Sequence, residues 1–321
     1  MTFPQPLPAT PDLRRLLLFA TIWFFAHPLL GQRSNKTPSP ITPTILWKIS
    51  GKDCPRPSYL LGTMHLSDAD WLFAYPAVQQ VIDNTETILT EAYTTDTTRL
   101  PSADVANPLK ALPLLSRNQY QLVDSFFVAR VGEGITGNAE AETMTVAQLG
   151  DAILLTLASQ TTGTNGTTKT MDLDLFNRYR QLGRKGDRLD RVAVTAFDST
   201  TIDEARQYLA RSLAYIEGSD KPDWNPYHQA GVQQSIVGYK QMRFAYKLDQ
   251  QPQPEQVSPY FDFVPLNVRN RNWLGKITAT IARQPTLIAV GMAHLFYKTG
   301  LIVLLRERGY QVEPVLLQSR N

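Results

Sequence analysis

Ala289-Val290-Gly291-Met292-Ala293-His294-Leu295 decides how this chain is read, because Leu60-Leu61-Gly62-Thr63-Met64-His65-Leu66 has already used the same pattern. Each copy is an apolar run of strand type, then Gly-x-x-His-Leu, then a helical segment. In an α/β sheet the chain leaves each parallel strand at its carboxyl end, and ligands bind in the crevice above those ends. Gly62 and Gly291 sit where the backbone must turn, or come too close to another segment for a Cβ. His65 and His294, three residues further on, are then placed in loops above two strands. The two strands should be adjacent or nearly so, with the imidazoles over one crevice. Sharing an ion requires ring nitrogens roughly 3–4 Å apart, and a separation beyond about 10 Å breaks the shared-site reading.

Working outward, both motifs lie in β-α-β patterns. Strands are predicted at Ile45–Ile49 and Ser58–Leu61, joined as a hairpin. Trp71, Leu72, Tyr75, Val78 and Val81 give helical spacing over 68–83, and a strand over 86–90 ends at Glu91. Towards the other terminus come a helix over 268–283, a strand over 285–290, a helix over 300–308 closed by Gly309, and a strand over 310–315. The middle carries apolar helical stripes across 109–160, a helix over 172–182, a strand near 191–197 and two or more helices across 204–248. Polar loops are expected at 159–170 and 250–259. The fold class is α/β: a central mixed sheet with helices on both faces and a strand-end active site.

With 321 residues the chain is long enough to bury a core unaided. Its net charge is only +3 and its basic residues are scattered, which argues against a nucleic-acid partner. Cys54 is the one cysteine, so no internal disulfide forms, and its place before Pro55 reads as a loop thiol. Arg14 and Arg15 precede an apolar stretch from Leu16 to Leu30, followed by Gly31. This is the pattern of a signal peptide over 1–31, followed by a Pro-containing flexible linker over 32–44 and a domain over 45–321. The stretch is short against the ~20 residues of a membrane span, so stable insertion beyond that segment is not expected. The body is expected in the periplasm or outside the cell, the alternative being an uncleaved N-terminal anchor.

Of the four histidines, His27 lies in the N-terminal segment and His228 lacks the motif. Glu91, at the end of a strand in the first β-α-β pattern, faces the same edge as His65 and His294. Two neutral imidazoles and a carboxylate suit Zn²⁺, Mn²⁺, Co²⁺ or Fe²⁺, with positions left for water. The helical His-Glu-x-x-His of the common zinc proteases is absent.

These residues resemble the TraB/GumN family, which includes the PrgY and Tiki proteins. The resemblance runs through Leu46-Trp-Lys-Ile49, Ser58-Tyr-Leu-Leu-Gly-Thr-Met-His-Leu66, Glu91, Arg271-Asn272-Trp273, Val290-Gly-Met-Ala-His-Leu295 and Leu304 to Val315. It implies a fold similar to the erythromycin-esterase and ChaN-like proteins. It also implies that His65 and His294 are metal ligands or catalytic, with Glu91 beside them. Arg271 and Asn272 match the family's Arg-Asn pair and would line the site. Tiki proteins are metal-dependent proteases acting on peptides outside the cell, so the expectation is metal-assisted hydrolysis of a peptide or another amide or ester. Zn, Mn and Co are the candidate ions, and Arg271 and Asn272 would stabilise the oxyanion. Two alternatives stay open: a metal-free esterase-like hydrolase, and a non-catalytic protein that captures a peptide or haem-like ligand. Where the family carries a Gly-hydrophobic-Asp turn and a Leu-Glu-Thr stretch, this chain has Thr170-Met171-Asp172 and Phe197-Asp198-Ser199, a departure that bears on the substrate side of the site.

Overall fold

The computed structural model describes residues 40–65, 67–95, 109–160, 170–190, 201–217, 229–252 and 265–318. The expected signal segment, most of the linker, the strand placed near 191–197, Asp198 and most of both polar loops lie outside the described residues.

Strands β1 (Leu46–Ser50), β2 (Ser58–Thr63), β3 (Thr87–Thr90), β4 (Lys185–Arg188), β5 (Thr286–Gly291) and β6 (Gln311–Val315) form one mixed sheet, in the order β4-β3-β5-β2-β1-β6. β1 pairs antiparallel with β2, as the hairpin reading expects, and antiparallel with β6. β5 lies between β2 and β3 and is parallel to both, and β4 runs parallel to β3 at the edge. All six residues of β5 are buried. A strand flanked on both sides and covered needs the continuous apolar run that makes it legible in sequence. β4 has one neighbour and reads Lys-Gly-Asp-Arg, partly exposed. An edge strand of that composition carries no hydrophobic signal.

The helices are α1 (Pro76–Asn84), α2 (Arg117–Val131), α3 (Val146–Gln160), α4 (Met171–Gln181), α5 (Ile202–Glu217), α6 (Gln229–Lys240), α7 (Leu266–Ile281) and α8 (Leu301–Glu307). Their ends follow local chemistry. Pro76 opens α1, where its missing N–H costs nothing. Ser116 and Gln119 close a reciprocal capping box on α2. Thr170 caps α4 through the Leu173 N–H at 3.4 Å.

The chain divides into two compact units. One holds the sheet with α1, α4, α7 and α8. Its core joins Leu60, Leu61, Ile288 and Val290 of the strands to Trp273 and Ile277 of α7 and Leu301 and Leu305 of α8. The other holds α2, α3 and α5, with Gly150 of α3 packed so closely on α5 that a Cβ would lie 2.9 Å from the Tyr208 ring. Among the described residues no helix is long and apolar enough to cross a membrane.

Candidate active site

Four consecutive strands of the sheet, β4, β3, β5 and β2, are mutually parallel, and their carboxyl ends are level. Thr63 pairs with Gly291, and Thr90 pairs with both Ala289 and Arg188. Each apolar run carries the backbone through the core, and the first functional side chains appear where the chain leaves it. Glu91 follows β3 directly and Asp190 comes two residues after β4, its N–H donating to the Glu91 carbonyl at 3.0 Å. His65 comes two residues after β2, and His294 three residues after the end of β5. All four are buried.

The two histidines are oriented in the same way by different partners. His65 Nδ1 is hydrogen-bonded to Asp172 Oδ2, and the other Asp172 oxygen accepts the Thr63 hydroxyl at 2.7 Å. His65 Nε2 then faces Glu91 Oε1 at 3.5 Å. Burial alone would depress the imidazole pKa, but the charge and hydrogen bond of Asp172, aided by Glu91, push it up to about 10. His294 Nδ1–H donates to Asn270 Oδ1 at 2.6 Å. The Asn270 amide is fixed that way round because its Nδ2 donates to the carbonyls of His294 and Thr299, at 3.3 and 2.8 Å. His294 Nε2 is therefore an acceptor, taking Arg269 Nη1–H at 3.3 Å and lying 3.6 Å from Glu91 Oε1. Its ring packs on Trp273, centroids 4.4 Å apart. Burial holds its pKa down to about 3; Glu91 opposes this, but Arg269 and His65 reinforce it.

Glu91 is the hub. Oε1 accepts the Gly291 N–H at 2.6 Å, and Oε2 accepts Arg269 Nη2 at 2.5 Å. Burial opposes its ionisation, yet the carboxyl is held well below its ordinary pKa. With His294 neutral, Arg269 is the cation chiefly responsible. Arg269 Nη2 also reaches Asp190 Oδ2 at 2.7 Å, and Trp273 Nε1–H donates to Asp190 Oδ1 at 2.7 Å.

The motif glycines are required for close approach. Gly291 has φ −51°, which any residue adopts, but a Cβ there would lie 2.8 Å from His65 Nε2 and 3.1 Å from Glu91 Oε1. A Cβ on Gly62 would run into Met292 Sδ and sit 3.1 Å from Leu295. Each glycine thus makes room for the other copy of the motif.

The structure brings His65, Glu91 and His294 together on adjacent strand ends. Both Nε2 atoms lie close to the same Glu91 oxygen, which bounds their separation at about 7 Å. It does not bring Arg271 and Asn272 there, since both are solvent-exposed. The chain reads Arg269-Asn270-Arg271-Asn272, and at 3.6 residues per turn positions two apart are turned by about 200°, so they point in nearly opposite directions. Only one Arg-Asn pair can face the strand ends, and it is Arg269-Asn270, both buried. Asn270 spends its amide on fixing His294, so the oxyanion role expected of the asparagine does not follow from this geometry. Asp172 grips His65, which puts it on the histidine side of the site, not the substrate side. Asp190 and Trp273 were not legible as site residues. Asp190 follows a polar edge strand, and Trp273 stands in the stretch that carries the family resemblance but is given no site role by it.

Among the described residues no group of three or more His, Cys, Asp or Glu side chains is arranged to hold a metal ion. The donor chemistry nonetheless suits one. Two imidazole nitrogens turn toward one carboxylate oxygen, and each ring is anchored through Nδ1 by an acceptor, the usual outer-shell pattern of metal-ligating histidines. In this conformation Arg269 Nη1 stands on the His294 lone pair, and His65 carries a proton that ligation would remove. No curated protein and no solved structure matches the chain. The model of the TraB/PrgY/gumN family matches residues 45–314. That span contains all six strands except the last residue of β6, and every residue of the site, and the chain belongs to the TraB/PrgY/gumN family.

Proposed function

We propose that the chain hydrolyses an amide or ester bond, with peptides as the first substrate class, at the ends of β2, β3 and β5. One observation carries the reading: two imidazoles, each fixed at Nδ1, aim Nε2 at the same buried carboxylate oxygen. His65, His294 and Glu91 would hold a divalent ion such as Zn²⁺, Mn²⁺ or Co²⁺. Such an ion, when bound, polarises a carbonyl and lowers the pKa of water. For these nitrogens to become ligands, His65 gives up its Nε2 proton and Arg269 its bond to His294. Arg269 is then the donor positioned to meet negative charge developing on a substrate oxygen. Asp172 keeps the His65 ring oriented, and Asn270 does the same for His294. The basic and apolar N-terminal segment supports export, and N-terminal sequencing of the mature protein tests its cleavage.

A second reading has its own support. His65 is held protonated and His294 neutral beside one carboxylate, and ionisable groups pushed apart in this way supply an acid and an acceptor without an ion. Both readings are tested on purified protein, with a panel of peptide and ester substrates, before and after exhaustive chelation. Hydrolysis lost on chelation, restored by divalent ions and absent from the His65→Ala/His294→Ala variant supports the first. Hydrolysis that survives chelation transfers the chemistry to the second. Ligand recovered intact after long incubation, with binding lost in the variant, would replace both with a capture function.

A further inference from the structure

We infer that Asp190 is a positioning residue that keeps Glu91 available by sharing Arg269 with it. The inference rests on Glu91 being a working group of the proposed site. A buried Arg-Glu pair left to itself closes as a two-pronged fork over both carboxylate oxygens. Here the fork belongs to Asp190: Arg269 Nη2 reaches Oδ2 at 2.7 Å, and Nε reaches Oδ1 at 3.4 Å. Glu91 receives one contact, Nη2 to Oε2 at 2.5 Å. Oε1 is thereby left to face the Gly291 N–H and the two histidine Nε2 atoms.

Asp190 also accepts the Trp273 indole N–H, so the ring that lies on His294 and the guanidinium that points at His294 Nε2 hang from the same carboxylate. Its own place is set by strand pairing, because the Asp190 N–H donates to the Glu91 carbonyl at 3.0 Å. All these side chains are nine-tenths or more buried, so water does not relieve a change in one of them. Without the Asp190 charge, Arg269 closes fully on Glu91 and leaves His294.

The test uses the full chain, with Mn²⁺ as the probe, read by electron paramagnetic resonance. Asp190→Asn should weaken Mn²⁺ binding by at least about tenfold, a loss of about 1.4 kcal/mol. Arg269→Met should bind as well as wild type or better. Adding Asp190→Asn to Arg269→Met should then change nothing further, because Asp190 acts through Arg269. The double variant removes one buried charge of each sign and leaves Glu91 to the protonated His65 and the Gly291 N–H, and its comparison with Arg269→Met stands even if Asp190→Asn alone does not fold. An Asp190→Asn protein that binds Mn²⁺ like wild type, or a double variant weaker than Arg269→Met, overturns the inference. Ring-nitrogen NMR of ion-free protein gives an independent reading. Asp190→Asn should shift the His294 signals and leave those of His65 in place, and unchanged His294 signals also overturn it. A wild type that binds no Mn²⁺ counts against the metal reading, and the NMR arm then decides on Asp190 alone.

Discussion

Replacing Gly291 by alanine exchanges one hydrogen for a methyl group at the centre of the site, and the structure sets the size of the effect. The backbone does not object: at φ −51° and ψ 138° alanine is unstrained. Judged by the unfolded chain alone, the change would stabilise by about 0.4–1 kcal/mol. The new Cβ, however, stands 2.8 Å from His65 Nε2, 3.1 Å from Glu91 Oε1 and 3.5 Å from His65 Cε1. Neither neighbour is the loose end of a flexible chain. His65 is tied to Asp172, and Glu91 to Arg269 and to the Gly291 N–H itself. Both must shift by several tenths of an ångström inside a packed interior, where such overpacking costs typically about 1–3 kcal/mol. The steric cost therefore outweighs the entropic gain, and Gly291→Ala should be destabilised by about 1–2 kcal/mol net.

Gly275 gives the control. It lies in α7, exposed, with nothing within 4 Å of an added Cβ, so Gly275→Ala should be more stable by about 0.8–1.0 kcal/mol. Urea midpoints of ion-free protein, followed by near-ultraviolet circular dichroism, compare the three chains at one pH. A Gly291→Ala protein as stable as Gly275→Ala would refute the claim that the second motif presses on the first histidine.

The remaining expectations concern charge. His65 keeps its proton up to about pH 10 when folded but only to about 6.5 unfolded, so its contribution is complete below 6.5 and lost as pH rises toward 10. His294 resists protonation down to about 3, so its contribution is present above 6.5 and lost as pH falls toward 3. Urea midpoints measured from pH 4 to 9 should therefore peak near 6.5, with His65→Gln reducing the alkaline slope and His294→Gln the acid one. Arg269→Ala leaves Glu91 and Asp190 buried without their cation and should cost about 3–5 kcal/mol, whereas the exposed Arg271→Ala should stay within about 0.5 kcal/mol, both read by the same unfolding assay. Asn270→Asp puts a carboxylate on His294 Nδ1 and should raise the His294 pKa by more than a unit in a ring-nitrogen titration, while an unmoved pKa would show that Asn270 does not set it.

The parts of this molecule that sequence reveals are those where one cause dominates. β2 and β5 are apolar because they are buried, and they end in a glycine because another loop packs there, so two observable features coincide at each motif. Glu91 follows from strand position alone. The failures have physical reasons too. β4 is an edge strand of polar residues that offers no hydrophobic run, and Asp190 just past its end is illegible with it. Arg269-Asn270-Arg271-Asn272 offers two identical pairs, and only the rotation of α7 against the sheet distinguishes them. That rotation is set by Trp273, Leu274, Ile277 and Ile281, the buried face of the helix. Taken with the 3.6-residue period, this face carries Arg269 and Asn270, which lie four residues before Trp273 and Leu274 respectively. The information was present in the spacing of the apolar residues, but a match to a short motif does not use it.

The repeated motif also shows what a pattern of residues leaves undecided. Read as sequence, the two Gly-x-x-His copies suggested two equivalent neutral imidazoles. Their placement is equivalent, since each ring leaves a parallel strand end and turns Nε2 to the same oxygen. Their chemistry is not, because it depends on what meets Nδ1 from outside the sheet. α4 brings a carboxylate, Asp172, to His65, and α7 brings an amide, Asn270, to His294. An anion at hydrogen-bond distance favours the imidazolium, while a neutral acceptor only fixes the tautomer and leaves burial to decide. Arg269 then adds its own charge on the side of His294 and excludes a second cation there. One imidazolium, one neutral imidazole and the guanidinium face two strand-end carboxylates, an arrangement in which the histidines cannot exchange roles. For the proposed divalent ion to be held here, His65 would have to give up its proton and Arg269 its bond to His294, so such binding would depend on pH through His65 and on side-chain movement through Arg269.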